Sequence, residues 1–283
     1  MRIALVANPA SGGGLDPAPL VRAMSERGAE VAVFDCATDD IKRAAAVSPD
    51  RLVVAGGDGT IGPVADLAGR LDVPLAVIPG GTANDFARAT GLPLDPIDAA
   101  ELAVSGTTLR RFELGRLGDG RAFVNVASAG LASVAARRAV PLKPRLGAVA
   151  YGVGAVRAAA TAAPLRCAVR ADGATVYEGD AWQVILAVTG AFGAGSGIAA
   201  ADPSDGVLDV AILPAGSRLG LARRAWGMKR HMIAEQRGVE HHRGAVVAVE
   251  LVPGTEFNAD GELRDTGLER VTVEPDAYAL VVT

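Results

Sequence analysis

Several polar or glycine-rich segments in the first third of the chain have the residue types to handle a phosphorylated ligand. They are Asn8-Pro9-Ala10-Ser11-Gly12-Gly13-Gly14, Thr38, Gly56-Gly57-Asp58-Gly59-Thr60 running on into Ile61-Gly62, and Pro79-Gly80-Gly81-Thr82-Ala83-Asn84. Glycine lets backbone N–H groups approach phosphate oxygens with no Cβ in the way. A helix starting just behind such a loop adds partial positive charge. Asp58 offers a carboxylate to a metal–nucleotide complex or, more plainly, caps a helix. Thr82 reads as an N-cap for a helix carrying Asn84, Asp85 and Arg88. Far along the chain, Asp260-Gly261-Glu262 sets two carboxylates around a glycine, able to accept a proton or simply to make a turn. Asp202 and Asp205-Gly206-Val207 form another acidic, turn-like segment.

The elements around these segments explain why they would meet. Apolar runs predict strands at 2–7, 29–35, 51–55 and 74–78, with helices near 16–28, 39–48 and 63–72 between them. Short apolar strands alternating with helices imply a parallel, doubly wound sheet, whose ligands bind at the C-terminal strand ends. All four early segments follow such ends. After about residue 107 the rhythm changes. Strands are expected at 109–117, 121–128, 164–171, 174–177, 180–189, 207–213, 245–252 and 270–274, which reads as an antiparallel sheet or sandwich. A helical stretch at 130–162 and a helix at 217–236 interrupt it, and the run 278–282 can return to either half.

The bulk composition narrows the options. Its 283 residues are half apolar, 21% charged and carry a net charge of −4, so no global basic field recruits nucleic acid. Cys36 and Cys167 are too few and too far apart for a disulfide framework. The opening run Arg2 to Ala7 is too short for a leader, and no stretch approaches the roughly 20 apolar residues of a membrane span. The expectation is a cytoplasmic chain that meets membranes only peripherally. There is no Gly-x-x-x-x-Gly-Lys-Ser/Thr loop and no His-Arg-Asp or Asp-Phe-Gly, so P-loop and protein kinases are set aside. Gly195-x-Gly197-x-x-Ala200 lacks a dinucleotide-binding context, and His241-His242 is read as part of a loop.

Taken in order, Asn8 to Gly12, Gly56-Gly57-Asp58-Gly59-Thr60 and Pro79-Gly80-Gly81-Thr82-Ala83-Asn84-Asp85-Phe86-Ala87-Arg88 resemble the diacylglycerol-kinase catalytic domain, shared by bacterial lipid kinases and sphingosine kinases. Asp205-Gly206-Val207-Leu208-Asp209-Val210 and Asp260-Gly261-Glu262 resemble two later motifs of that family. The resemblance implies an α/β fold with two domains. The first, residues 1–112, is a doubly wound nucleotide-binding domain like that of phosphofructokinase and NAD kinase, with 278–283 free to return to it. The second, 113–277, is an antiparallel β-rich sandwich that helps bind lipid. It implies ATP on Asn8, Pro9, Ala10, Ser11, Gly12, Thr38, Gly56, Gly57, Asp58, Gly59, Thr60, Ile61, Gly62, Gly81, Thr82 and Asn84. It implies Mg²⁺ on Asp202, Asp205 and Val207, and a proton acceptor in Asp260 or Glu262, with the short Asp260 preferred. The expected function is transfer of phosphate from ATP to a hydroxyl of diacylglycerol or a related lipid. Another kinase of the NAD-kinase superfold, or a non-catalytic relative, is the alternative.

One departure stands out. Where the family carries Asn and Glu after its Gly-Gly-Asp-Gly-Thr, this chain has Gly62 and Pro63. The expected partners are a lipid substrate at a membrane surface and a second copy in a homodimer, with no nucleic acid. Segment 217–236, with Arg223, Arg224, Lys229, Arg230 and Trp226, reads as an amphipathic helix suited to an anionic bilayer.

Overall fold

The computed structural model describes residues 1–12, 14–36, 41–139, 158, 160–192, 196–198, 201–218, 221, 236 and 238–283. Thr38, Gly13, much of the stretch 130–162, part of the segment 190–197 and nearly all of 217–236 lie outside the described residues. The chain divides into two compact units. One takes Met1–Leu114, Pro203–Asp205 and Glu274–Thr283, the other Gly115–Asp202 and Gly206–Val273.

The first unit opens with β1 (Arg2–Ala7), α1 (Ala18–Glu26), β2 (Glu30–Asp35), a 3₁₀ turn at Ile41–Val47, β3 (Arg51–Gly56), α2 (Asp58–Leu71) and β4 (Leu75–Pro79). Then follow α3 (Asp85–Ala89), α4 (Pro96–Ser105) and β5 (Thr108–Arg116), whose last two residues belong to the second unit. The strands are parallel in the order β2-β1-β3-β4. β1, β3 and β4 are buried almost throughout, as parallel strands covered on both faces must be. Ile3, Leu5, Val53, Ala55, Ala76 and Ile78 pack on Leu20 and Met24 of α1 and Ala99, Ala100 and Ala103 of α4. Strand alternation turns Ala4, Val6, Leu52 and Val54 to the opposite face. Strand order reverses between β1 and β3, the switch point at which such sheets open a crevice.

In the second unit come β6 (Ala122–Phe123), β7 (Val126–Gly130), α5 (Leu131–Ala139), β8 (Leu165–Ala171), β9 (Ala174–Ala187), β10 (Ala191–Phe192) and β11 (Ser196–Gly197). They are followed by β12 (Leu208–Pro214), β13 (Glu240–Gly244), β14 (Val246–Leu251), β15 (Phe257–Ala259), β16 (Glu262–Arg264) and β17 (Val271–Val282). The long β9 organises the unit. Its first half pairs with β8, its second with β7 and β12, all antiparallel. The resulting layers enclose a core of Phe123, Val169, Val184, Leu186, Val210, Val249 and Phe257.

Several sequence expectations change here. The runs 174–177 and 180–189 are one strand, because Glu178 and Gly179 stay paired with β8. The run 121–128 breaks at Val124-Asn125, whose N–H groups bond to Asp260 instead of a strand. His241 and His242 lie in β13 rather than a loop. β17 absorbs both 270–274 and the last run, and its end pairs in parallel with β4 at Leu280–Leu75. Among the described residues no helix is long and apolar enough to cross a membrane.

Candidate active site

In the first unit the loops after β1, β3 and β4 are tied to one another by side-chain and backbone hydrogen bonds. The Asn8 side chain accepts the Ala10 N–H at 3.1 Å and donates to Thr60 Oγ1 at 3.2 Å. Ser11 Oγ accepts the Gly57 N–H at 3.0 Å. The Gly80 N–H reaches the Gly56 carbonyl at 2.8 Å. A Cβ on Gly12 would stand 2.4 Å from the Gly80 carbonyl oxygen, and one on Gly81 would stand 2.7 Å from Gly57 Cα. The loops therefore meet backbone to backbone, which only glycine allows, and Gly12 also needs its φ of 65°. A Cβ on Gly57, by contrast, would meet nothing closer than 3.5 Å.

Asp58 and Asn84 lock this rim. Asp58 accepts the Phe86 N–H at 2.9 Å and the Asp85 N–H at 3.2 Å, joining the start of α2 to the start of α3. Asn84 sits in the left-handed region at φ 53° as the N-cap residue of α3, and its Oδ1 accepts the Gly81 N–H at 2.8 Å. Thr82 is exposed and two residues short of that cap, which corrects the sequence expectation. α2 starts at Asp58, not near residue 63, because Asp58-Gly59-Thr60 already forms its first turn. Ile61 and Gly62 are buried on the helix and Pro9 and Ala10 are exposed. Pro63, five residues past the helix start, removes the N–H that would bond to the Gly59 carbonyl.

In the second unit Asp260-Gly261 turns the chain from β15 to β16. Asp260 has φ 45°, and Gly261 donates its N–H to Asn258 Oδ1 at 2.9 Å. The Asp260 carboxylate accepts three backbone N–H groups, from Val124 at 2.7 Å and from Asn125 and Val126 at 3.0 Å each. Glu262 is built differently. Its carboxylate meets Arg264 Nη2 at 2.6 Å, and 55% of its side chain is exposed. Burial raises the Glu262 carboxyl above its ordinary value, with the Arg121 charge acting against it. So exposed a side chain lets water screen part of that penalty. Sequence reasoning missed Asn258 and Arg264, which no motif marks.

Asp205 falls in the first unit and Asp202 and Val207 in the second. Both aspartates are exposed. No cluster of three or more His, Cys, Asp or Glu suited to a metal occurs among the described residues. Asp202 and Asp205 carry carboxylate oxygens, the donor type that Mg²⁺ prefers.

Residues 2–117 match the diacylglycerol kinase catalytic domain. Residues 125–282 match the YegS C-terminal NAD kinase beta sandwich-like domain. A Pseudomonas aeruginosa protein named "Probable lipid kinase YegS-like" is 32% identical over 98% of this chain and 92% of its own length. This chain belongs to the diacylglycerol-kinase family of lipid kinases. A Mycobacterium tuberculosis relative named "Diacylglycerol kinase" is 32% identical over 77% of the chain and 72% of its own length. The fold of this lipid kinase is shared with a crystal structure of a diacylglycerol kinase from Bacillus anthracis, at TM-score 0.79, 22% identity, and coverage of 100% of this chain and 97% of that one. An NAD kinase from Archaeoglobus fulgidus, solved with ATP, is more distant at TM-score 0.55, 18% identity, and coverage of 100% and 94%.

Proposed function

We propose that this lipid kinase moves the γ-phosphoryl group of ATP to the free hydroxyl of diacylglycerol, or a lipid close to it, with Glu262 as proton acceptor. The observation that carries the ATP assignment is the lacing of three glycine-bearing loops at the switch point of the parallel sheet. Gly12, Gly57 and Gly81 keep that rim bare of side chains. Asn8, Ser11, Thr60 and Asn84 hold the loops, and Asp58 ties α2 to α3. The reading assigns phosphate binding to the backbone of Ser11–Gly12, Gly57–Thr60 and Gly81–Thr82. Ile61 and Gly62 support it from inside α2. Phosphoryl transfer needs mainly alignment and charge neutralisation, which a rigid backbone cradle is suited to supply.

For the proton, Glu262 is favoured over Asp260. The lone pairs of Asp260 are spent on three N–H donors, and protonating it would cost some of those bonds. Glu262 is exposed, paired with Arg264, and carries a raised pKa, which suits an acceptor working late in the step. Asp202, Asp205 and the Val207 carbonyl would be the protein donors for Mg²⁺, which would supply neutralisation of phosphate charge. The lipid is taken from a membrane surface by peripheral contact, a role for which the basic sequence of 217–236 is suited.

The test compares Glu262→Gln with Asp260→Asn, measuring ATP affinity, turnover on diacylglycerol vesicles and melting temperature. Glu262→Gln is expected to melt like the parent and bind ATP normally while turnover falls 100-fold or more, an order of magnitude typical of a lost general base. Full turnover in a folded Glu262→Gln would remove the residue from the mechanism.

A further inference from the structure

Arg264 has no task in the kinase reading, yet it is built together with Glu262. Strand β16 lies at the end of its sheet and pairs with β15 alone among the described residues. Glu262 stands opposite Ala259, and Arg264 opposite Phe257. Cross-strand partners share a face, and Ala259 and Phe257 both enter the core of the second unit. The two charged side chains therefore lie side by side on the core-facing side of that edge, as residues two apart on a strand do.

Their burial differs. The Glu262 side chain is 55% exposed and that of Arg264 only 17%. A guanidinium does not shed its charge on burial, as a lysine can. Arg264 thus carries a fixed cation to the edge of an apolar core, where a charge needs a partner. Among the described residues its only polar partner is Glu262 Oε2, to which Nη2 donates at 2.6 Å, and its buried Nε meets none. A guanidinium that staples a fold spreads its donors over backbone carbonyls, as Arg51 does with those of Ala103 and Gly106. Arg264 spends its bond on a carboxylate instead. Glu262 Oε1 takes no hydrogen bond among the described residues, so the contact holds one oxygen and leaves the other open.

The other charges around Glu262 are committed elsewhere. Arg121, in the β5–β6 hairpin, also acts on Glu262 and is paired with Asp119 at 3.5 Å. Helix α5 packs against β15 and β16. Its Arg137 pairs with Glu256 at 3.1 Å, and its Arg138 donates to Thr161 Oγ1 at 2.6 Å. Asp260 is held by its three N–H donors, and Asp265 lies beyond the strand end, exposed.

We infer that Arg264 is the positioning residue of the phosphoryl-transfer step, fixing the Glu262 carboxylate through Oε2 so that Oε1 meets the lipid hydroxyl. The inference rests on Glu262 as the proton acceptor. The hydroxyl proton goes to Oε1 as the hydroxyl oxygen bonds to the γ-phosphorus and ADP leaves, and Arg264 neither gains nor loses a proton. A cation in contact also favours the ionised carboxylate, offsetting part of the burial that raises the Glu262 carboxyl.

Steady-state kinetics of the full chain across pH, with MgATP and diacylglycerol vesicles, test this. Arg264→Gln is expected to lower kcat about tenfold with little change in either KM, a part of the loss that misplacing a reacting group can cause. The acid limb of its kcat/KM profile should move to higher pH, because the carboxylate has lost the cation that favours its charged form. Arg264→Lys keeps the charge but not the planar fork. It should return the limb to near the parent position and recover only part of kcat. In a Glu262→Gln background, Arg264→Gln should lower the residual kcat no further, since it acts through that side chain. An unmoved limb in folded Arg264→Gln, a loss confined to KM, or an equal further loss in the Glu262→Gln background would each overturn the inference. If Arg264→Gln does not fold, Arg264→Lys decides, and parent kcat in that variant would overturn it. Full turnover in Glu262→Gln alone is a different failure. It removes the proton acceptor itself, and the inference with it, without any change at Arg264.

Discussion

Asp260 holds three backbone N–H groups on two carboxylate oxygens, at a left-handed turn between β15 and β16. Asparagine keeps one of those oxygens and turns an NH₂ toward an N–H. Asp260→Asn is therefore expected to lose about 1–3 kcal/mol of stability, visible as a lower melting temperature whatever its activity. An unchanged melting curve would contradict that anchoring role. Glu262 makes the opposite prediction in acid. It must be ionised to accept a proton, and burial raises its carboxyl, so protonation removes the base at a higher pH than for an ordinary glutamate. The acid limb of kcat/KM should lie there and vanish in Glu262→Gln. A limb that survives in that variant belongs to another group. Asp-Gly-Glu was legible as two candidate carboxylates. Their division of labour was not, because the three donors of Val124 to Val126 lie more than 130 residues away in sequence.

At the level of elements, the phosphate rim depends on glycines of two kinds. Gly12 is held by its positive φ and by the Gly80 carbonyl 2.4 Å from where a Cβ would be. Gly57 has room for a Cβ. Gly12→Ala should accordingly lower the melting temperature, whereas Gly57→Val should melt near the parent and lose ATP affinity by tenfold or more. Parent-like ATP binding in a folded Gly57→Val would remove the loop from the nucleotide site. Helix α2 offers a further check. Pro63 lies inside it and is exposed, and a proline in a helix interior costs on the order of 3 kcal/mol. Pro63→Ala should raise stability by about 1–3 kcal/mol, read by denaturant unfolding. The parallel strands were legible because continuous apolar runs have one fate in a covered sheet. The start of α2 was not, because Gly-Asp-Gly reads as a turn until Asp58 is seen bonding to α3.

Over the whole molecule, the chain does not divide cleanly at one point. Pro203–Asp205 and Glu274–Thr283 return to the first unit, and β17 starts in the second unit and ends beside β4. An apolar run at the C-terminus says that a strand exists but not which sheet takes it, so sequence left its place open. The ordered motifs were more informative, because their combination rather than any single loop separates lipid kinases from NAD kinases of related fold. That separation is the central claim, and one competition measures it directly. The full chain is given γ-labelled ATP with Mg²⁺, diacylglycerol vesicles and NAD together, and the labelled products are identified. The account predicts label in a lipid phosphomonoester and none in NAD, with Gly57→Val and Glu262→Gln both silent. Label in NAD, or no labelled lipid from the folded parent chain, would contradict it.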